Sequence, residues 1–140
     1  MASIRVLAEL PNLAVIRRFV EETATALKAD RDAIDDMVQA VDESATNIIV
    51  HGYQALPGNI EIEVTLEGNM LAVRLRDQAP LFDPTRAPPS DVTLPLERRR
   101  VGRLGIHLIR QFTDNVTYRI TSEGGNELTL RKKAKGEENK

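Results

Sequence analysis

A carboxylate and a carboxamide lie one helical turn apart in residues 42–53 of the chain. The sequence there is Asp-Glu-Ser-Ala-Thr-Asn-Ile-Ile-Val-His-Gly-Tyr, so Asn47 follows Glu43 by four residues and His51 follows after four more. Side chains at positions i and i+4 are neighbours on an α-helix. A carboxylate such as Glu43 can accept a proton from an attacking hydroxyl group or water. The amide oxygen of Asn47 suits Mg²⁺, which prefers oxygen ligands and often binds phosphates as well.

The opposite face of the same segment is apolar at helical spacing. Its members are Ile34, Met37, Val38, Val41, Ala45, Ile48 and Ile49. The pattern predicts a helix over about 32–51 whose apolar face packs on a core. Any surface helix also has a polar face, and a polar stripe such as that of Glu43 and Asn47, taken alone, is more often solvated than functional.

Two later segments carry further chemistry. Asp77 opens the sequence Asp-Gln-Ala-Pro-Leu-Phe-Asp-Pro after an alternating stretch, and an acceptor at a strand end can receive the amino group of adenine and so select ATP over GTP. Residues 102–107, Gly-Arg-Leu-Gly-Ile-His, open a predicted helix. The unpaired N–H groups of a helix N-terminus suit a phosphate chain. The arginines at 98, 99, 100 and 103 flank that site and add positive charge.

Each of these features also has a plainer interpretation. Asp77 can cap a turn, glycines at a helix start are often required by packing, and a run of arginines is usually solvated. His51 and His107 are the only histidines, and two histidines without a further placed ligand are weak evidence for a metal site. We therefore interpret both histidines as structural or substrate-side residues.

Periodicity along the chain predicts the elements that must position these residues. Strands are predicted at 3–10, 60–67, 70–76, 116–120 and 127–132, and helices at 13–28, 32–51 and 102–112. Asn12 and either Asp30 or Asp32 are the expected helix caps, and Gly68-Asn69 is expected to form a tight hairpin. The order predicts an α/β (α+β) two-layer sandwich, with a mixed, mostly antiparallel sheet covered on one face by helices.

The long segment 78–101 has a different character, because it holds five prolines and no clear period. Such a loop within a domain is usually functional, often a lid, or else disordered. We predict a single domain over 1–133 that includes this segment as a lid. The polar tail 134–140 is predicted to be disordered.

Composition limits the classes of function. The chain has 140 residues, 41% of them hydrophobic and 29% charged, which is typical of one globular domain. A net charge of −2 provides no overall basic field for nucleic acid. The absence of Cys excludes disulfides and zinc–thiolate sites. No apolar run approaches the roughly 20 residues needed to cross a bilayer, and the N-terminus lacks a secretory signal. These observations predict a cytoplasmic protein that does not bind membranes.

Four sequence boxes in order resemble those of a known family. Glu43-x-x-x-Asn47-x-x-x-His51-x-Tyr53 resembles the N-box of the GHKL ATPases, of gyrase, Hsp90, histidine kinase and MutL type, in the form found in the RsbW-like anti-sigma-factor serine/threonine kinases. Residues 77–84 are similar to that group's adenine box, and 102–109 to its second glycine box. The ending from 114 to 130 fits as well. The resemblance covers nearly the whole chain.

The resemblance implies a Bergerat-type fold, with ATP held between the helices and a lid. It implies catalysis by Glu43 and Mg²⁺ at Asn47. The residues implied to bind ATP are Asn47, Asp77, Ala79, Phe82, Arg100, Gly102, Arg103, Leu104, Gly105 and Ile106. The implied acceptor is a serine or threonine of a STAS-domain antagonist, whose unphosphorylated form captures the kinase and releases a sigma factor or similar client. Members are commonly homodimers.

Three departures from the family pattern bear on these expectations. Ala79 stands where many GHKL proteins have Gly, which matters if φ must be positive there but not if small size suffices; we favour small size. Gly102-Arg103 replaces a more glycine-rich phosphate loop and could stiffen the lid. Asn126 stands where relatives often have a Thr near adenine, and no firm role is transferred to it.

Three other functions are compatible with parts of the sequence. The domain could be a module that sequesters a partner and uses ATP only as a structural ligand, or not at all. It could be the catalytic half of a sensor histidine kinase, but no phospho-accepting helical hairpin precedes the first strand in this sequence. An unrelated small α/β domain with coincidental boxes is the remaining alternative.

Overall fold

The computed structural model describes residues 1–54, 56–86 and 101–134, and for residues 101–105 it describes the backbone alone. The elements are β1 (Ala2–Leu7), α1 (Leu13–Ala26), α2 (Arg31–Asn47), β2 (Asn59–Glu67), β3 (Met70–Asp77), α3 (Val101–Phe112), β4 (Asn115–Ile120) and β5 (Asn126–Lys133). Short 3₁₀ turns lie at Leu10–Asn12 and Pro84–Arg86, and a π-helical turn lies at Ile48–Gly52. The predicted order of strands and helices is confirmed.

The five strands form one sheet in the order β1-β2-β3-β5-β4. The prediction was a mixed, mostly antiparallel sheet, and the four pairings that the structure describes are all antiparallel. Short turns explain two of them, because they join β2 to β3 and β4 to β5. Gly68, at φ +63°, occupies a left-handed position in the β2–β3 turn, which glycine adopts without steric cost. The two-layer α/β sandwich is confirmed.

The hydrophobic core lies between the inner face of the sheet and the helices. Alternate residues of the two central strands, Ile60, Ile62 and Val64 of β2 and Leu71, Val73 and Leu75 of β3, are fully buried. The helices contribute Ile16 and Val20 from α1, Met37, Val41 and Ala45 from α2, and Ile109 from α3. Helix α2 packs against both α1 and α3. The helix that carries Glu43 and Asn47 is therefore the central helix of its layer.

The outer face of the sheet carries a row of alternating charges, one from each strand. The register places Arg5, Glu61, Arg76, Glu127 and Arg119 side by side across the five strands. Arg76 Nε lies 2.6 Å from Glu127 Oε2 and its Nη1 lies 3.2 Å from Glu61 Oε1. The Glu127 side chain is only 4% exposed between its two arginines. This salt-bridge row covers a face that has no helical layer in the described chain.

Glu61, Glu63 and Glu67 of β2 form the acidic wet face that alternation predicts, but arginines compensate it. Arg74 lies 2.8 Å from Glu67, and Arg76 lies 3.0 Å from Glu63. A single strand sequence shows only its own charges, whereas the register brings in the opposite charges of the neighbouring strand.

Four local details differ from prediction. Strand β1 ends at Leu7 rather than Leu10, where a 3₁₀ turn begins. Asn12 does not cap α1: its side chain donates to the Leu7 carbonyl at 2.9 Å, and its own backbone is helical because a 3₁₀ turn runs directly into α1. An N-cap needs an extended backbone at that position, as Asp30 has before α2. The α-helix of α2 ends at Asn47 rather than His51. Ala134, placed by prediction in the disordered tail, is buried and its N–H donates to the Asn69 carbonyl at 2.7 Å.

Two predicted segments extend beyond what the structure describes. Residues 87–100 of the proposed lid and residues 135–140 of the tail lie outside the described residues. Among the described helices, none has the length and apolar character needed to cross a membrane.

The charge row predicts a position-dependent effect of removing one carboxylate charge. We expect Glu127→Gln to lower the free energy of unfolding by about 2 kcal/mol, because two guanidinium groups lose a nearly buried partner. Glu61→Gln makes the same chemical change at a more exposed site of the row, and we expect it to cost less than about 0.5 kcal/mol. Urea denaturation of both variants measures the difference, and equal losses would contradict it.

The Glu127 effect also has a predicted pH dependence. Burial alone would raise the pKa of Glu127, but hydrogen bonds and charge from Arg119 and Arg76 hold the pKa below its usual value. Because its folded-state pKa is lowered, ionised Glu127 stabilises the fold above the unfolded pKa of about 4.3. This stabilisation is lost as the pH falls further. The gap between wild type and Glu127→Gln should therefore persist at neutral pH and close below about pH 4.

Candidate functional site

A cavity of about 530 Å³ opens where the C-terminal end of α2 faces the ends of β3, β4 and β5. Its polar lining residues are Ser44, Asn47, His51, Gln54, Asp77, Tyr118 and Asn126. Its apolar lining includes Ile48, Ala79, Leu81, Phe82, Ile109 and Leu128. Small-molecule sites are commonly concave, mostly apolar and of this size, with a few placed polar groups.

Four of the predicted site residues line this one cavity. Asn47 lies on the helical wall, and Asp77, Ala79 and Phe82 lie on the wall that continues from β3. Asp77 and Ala79 are buried, whereas Phe82 is about half exposed. The end of the central helix and the end of the central strand therefore meet at one cavity.

The other predicted site residues lie differently. Glu43 is partly exposed, one turn before Asn47, and it is not among the described residues that line the cavity. Ile106 is buried in the hydrophobic core and is not among the described residues that line the cavity. Gly102, Arg103, Leu104 and Gly105 lie in the first turns of α3, where the structure describes the backbone alone. Arg100 lies outside the described residues.

Asp77 is on the inner face of β3 because the strand alternates. Leu71, Val73 and Leu75 point into the core, so the next residue in that row, Asp77, follows them. Its Oδ1 accepts hydrogen bonds from Asn126 Nδ2 at 2.8 Å and from the Ala79 N–H at 2.9 Å. Burial raises the pKa of Asp77, and these two donors partly oppose the rise. Within the described chain, no hydrogen bond is found to its Oδ2.

Asn126 is a functional candidate to which the sequence assigned no role. It is the cross-strand partner of Asp77 at the start of β5. Its Nδ2 also lies 3.1 Å from the Ala79 carbonyl, and its Oδ1 accepts from the Phe82 N–H at 3.1 Å and from the Tyr118 hydroxyl at 2.5 Å. The pairing of β3 with β5 would have revealed this contact, but no short-range pattern encodes that pairing.

Tyr53, which directly follows the π-helical turn, links the helical layer to the sheet. Its hydroxyl accepts from the Gln78 N–H and donates to the Asn59 carbonyl, both at 2.8 Å. A Cβ at Gly58 would lie 2.2 Å from the tyrosine ring, so the ring fits there only because residue 58 is glycine. These contacts join the end of the helical wall to Asn59, the first residue of β2, and to Gln78, the residue that follows β3.

The helical wall ends in the π-helical turn, where the Tyr53 N–H bonds to the Ile48 carbonyl at 2.8 Å. Single π turns are frequent at functional sites because they insert a residue and shift the side chains that follow. His51 consequently lies off the α-helical spacing that the sequence predicts, but it still lines the cavity.

The φ angle of Ala79 is not positive. Among the described non-glycine residues, only Lys28 and Gln54 have a positive φ. A Cβ added at Gly52 would lie 3.2 Å from the Ala79 Cβ. Close approach of the π-helical turn explains the need for a small residue at position 79. This agrees with the interpretation that size, rather than backbone freedom, is the requirement.

A second cavity of about 350 Å³ lies on the outer face of the sheet. Its charged residues are Arg74, Arg119, Arg131 and Glu127. The arginines there are already paired: Arg74 and Arg131 both contact Glu67, and Arg119 contacts Glu127. The charge of this cavity is largely compensated internally, so it is a poorer candidate for a ligand site than the inner cavity.

Comparison with known proteins identifies the family. Residues 6–132 match the model of the histidine kinase-like ATPase domain. The chain belongs to this family. Proteins named serine-protein kinase RsbW from Bacillus cereus (strain AH820) and Bacillus thuringiensis (strain Al Hakam) are each 30% identical over 113 residues, which cover 78% of this chain and 71% of each relative.

A solved structure shows the same fold. The crystal structure of the RsbU and RsbW domains of a Mycobacterium tuberculosis protein superposes with a TM-score of 0.64 at 18% identity. The match covers 95% of this chain but only 32% of the other, so this chain spans about a third of that solved chain. The predicted RsbW-like fold is thereby confirmed.

Burial of Asp77 predicts a gain of stability when its charge is removed. The pKa of Asp77 is raised in the fold, so ionisation opposes folding at every pH above the unfolded value of about 3.9. Asn at this position keeps an oxygen for both existing donors. We expect Asp77→Asn to raise the melting temperature at pH 7, whereas most substitutions lower stability by about 1 kcal/mol.

The matched control for that measurement is Asp83→Asn, a carboxylate whose Oδ1 also accepts a backbone N–H two residues on, from Thr85. We expect no gain from this control. The advantage of Asp77→Asn should vanish below about pH 4, where both proteins are uncharged at position 77. A loss of stability at pH 7 would show that ionised Asp77 does not oppose folding.

Proposed function

We propose that this protein is an ATP-dependent serine/threonine protein kinase that acts in the cytoplasm as an anti-sigma, partner-switching regulator. The observation that carries the proposal is the cavity that joins Asn47 to Asp77, a nearly buried carboxylate with one oxygen unpaired in the described chain. Buried polar groups normally have hydrogen-bond partners, so an open acceptor at a cavity wall favours a ligand that donates.

Adenine fits the wall that carries Asp77. The exocyclic amino group of adenine can donate to Asp77 Oδ2, whereas a 6-oxo purine would oppose one acceptor with another. Ala79, Leu81 and Phe82 supply apolar surface beside it. This supports the predicted roles of Asp77, Ala79 and Phe82 in binding ATP.

The phosphate chain is proposed to extend between Asn47 and the first turn of α3. Helix N-termini bind phosphate through unpaired N–H groups, and residues 102–106 lie at that end of α3. Arg100 and Arg103 remain predicted contributors of positive charge. Mg²⁺, when bound, would neutralise phosphate charge, and the amide oxygen of Asn47 suits it as a ligand.

The described residues contain no cluster of three or more carboxylate, histidine or cysteine side chains that could hold a metal ion by themselves. This arrangement fits Mg²⁺, which typically keeps several waters and is held through one or two side chains together with substrate phosphates. Asn47, at the cavity wall, is the residue proposed for that role.

Glu43 is proposed to orient the incoming serine or threonine hydroxyl and accept its proton. Phosphoryl transfer depends mainly on positioning and on neutralising charge. Glu43 lies one turn before Asn47 on the same rigid helix and is partly exposed, so a protein substrate can reach it.

The named relatives support a protein substrate, since they are serine-protein kinases. We propose a STAS-domain antagonist as the phospho-acceptor, a sigma factor or similar regulated protein as the client, and a homodimer as the working form. Transcription regulation would follow from release of the client. We expect no direct contact with nucleic acid, given the net charge of −2.

A non-catalytic ATP-binding or nucleotide-free sequestering module is the second candidate. The observation in its favour is that Glu43 does not line the described part of the cavity. Transfer of radiolabelled phosphate from ATP to a STAS-domain protein distinguishes the two functions. Binding of ATP and of the client without transfer would establish the second.

The role proposed for Glu43 predicts that its substitution impairs phosphate transfer without impairing ATP binding. We expect Glu43→Gln to keep the ATP dissociation constant within about twofold and to lower phosphate transfer by about 100-fold, the usual contribution of a positioned base. Glu22→Gln, the same change at an exposed position of α1, should transfer at the wild-type rate. Full transfer by Glu43→Gln would remove this residue from the reaction.

The role of Asn47 predicts a loss confined to the metal-dependent part of binding. Calorimetric titration of wild-type protein should show that Mg²⁺ tightens ATP binding, and in Asn47→Ala this tightening should disappear. Binding without Mg²⁺ in the same variant is the internal control, and it should change little because Asp77 remains. An unchanged Mg²⁺ dependence would place Asn47 outside the metal site.

A further inference from the structure

The side-chain amide of Asn126 has a fixed orientation. The Phe82 N–H can only donate, and it lies 3.1 Å from Oδ1. The carbonyls of Ala79 and Pro80 can only accept, and they lie 3.1 and 3.3 Å from Nδ2. Because backbone groups settle which end of the amide is which, the Nδ2 group must be the end that contacts Asp77.

This orientation determines how Asp77 meets a ligand. Oδ1 receives two N–H donors, from Asn126 and from Ala79, and so must act as an acceptor. Oδ2 is left as the oxygen that can meet a ligand at the cavity. Rotation of the carboxylate about χ2 would break both bonds, so the pair also fixes the direction of Oδ2.

The same amide fixes the chain that follows β3. Its contacts to the backbone of Ala79, Pro80 and Phe82 hold these three residues against the start of β5. One side chain thus links the acceptor to the apolar wall beside it.

We propose that Asn126 is the positioning residue that sets base specificity, by holding Asp77 Oδ2 as an acceptor directed at the 6-position of the purine. The proposal rests on the proposed binding of ATP. It predicts that a 6-amino purine is accepted and a 6-oxo purine is rejected because Asn126 prevents Asp77 from rotating or presenting a proton.

The decisive comparison uses ATP, ITP and pyrophosphate with Mg²⁺, since adenine and hypoxanthine differ at the 6-position. Wild-type protein should bind ATP more tightly than ITP. Asn126→Asp replaces the donating Nδ2 with an acceptor, and we expect it to lower the ATP-to-ITP preference about tenfold or more, while pyrophosphate binding stays within about twofold. Asn115→Asp, the same change on the exposed start of β4, should keep the wild-type preference.

The pH profile separates positioning from a merely structural effect. As the pH is lowered, the wild-type preference for ATP over ITP should decrease when Asp77 gains a proton, and burial raises the pKa of this carboxyl. In Asn126→Asp the preference should instead rise, because one proton shared by the two carboxylates restores a donor to Asp77. The other titratable groups near this wall in the described residues are the same in both proteins: Asp83, His51, Tyr53 and Tyr118.

Two different results would distinguish failure of the proposed function at Asp77 from failure of the role of Asn126. If wild-type protein does not prefer ATP to ITP, the proposed function at Asp77 fails, and this inference fails with it. If wild type prefers ATP but Asn126→Asp keeps the same preference and pH profile, only the role of Asn126 fails.

A measurement on the wild-type protein tests the role of Asn126 even if the Asn126→Asp variant does not fold. In ¹H–¹⁵N spectra the two Asn126 side-chain amide protons should be separate and protected from solvent exchange, and ATP should shift them more than ITP does. Rapid exchange of these protons, or equal shifts with both nucleotides, would overturn the proposal without any substitution.

Discussion

The alternation of β3 places a carboxylate at the end of an otherwise apolar row, and the site depends on how that carboxylate is accommodated. A charge cannot be left unpaired in such a position without a large cost. The fold supplies two N–H donors to one oxygen of Asp77, from Asn126 and from the Ala79 backbone. The other oxygen remains available at the cavity. A cost in stability is thereby retained at the position where a ligand can relieve it, as is common at functional sites.

The two faces of the sheet are shielded from solvent in different ways. The inner face packs on helices, whereas the outer face is covered by its own long side chains, with arginines and glutamates alternating across the strands. The aliphatic stems of arginine cover apolar surface while the guanidinium groups meet carboxylates. This pairing explains why the acidic face of β2 is not a simple negatively charged surface for a partner.

The sequence was sufficient to predict the helices and strands, but not the contacts between strands that are distant along the chain. Alternation in β2 and β3 and the helical period of α2 predicted their existence, their buried faces and the hairpin at Gly68. The spacing of Asn47 and the strand-end position of Asp77 suggested a shared site, and both line one cavity. The role of Asn126 was not predicted, because it depends on the pairing of β3 with β5 across 49 residues. The π-helical turn was also missed, since its residues fit an α-helical pattern equally well.

The described wall of the cavity beside Asp77 is held by hydrogen bonds within the chain itself. Tyr53 joins the end of the π-helical turn to the backbone at Gln78 and Asn59, and Asn126 joins the backbone at Ala79 and Phe82 to β5. The residues between Asp77 and Phe82 are therefore bonded on both sides, by one side chain from the helical layer and one from the sheet. A ligand that meets Asp77 need not order this wall, so little of its binding energy is consumed by conformational entropy. Such a preorganised wall favours discrimination between bases, because an acceptor that cannot move cannot adapt to the wrong one.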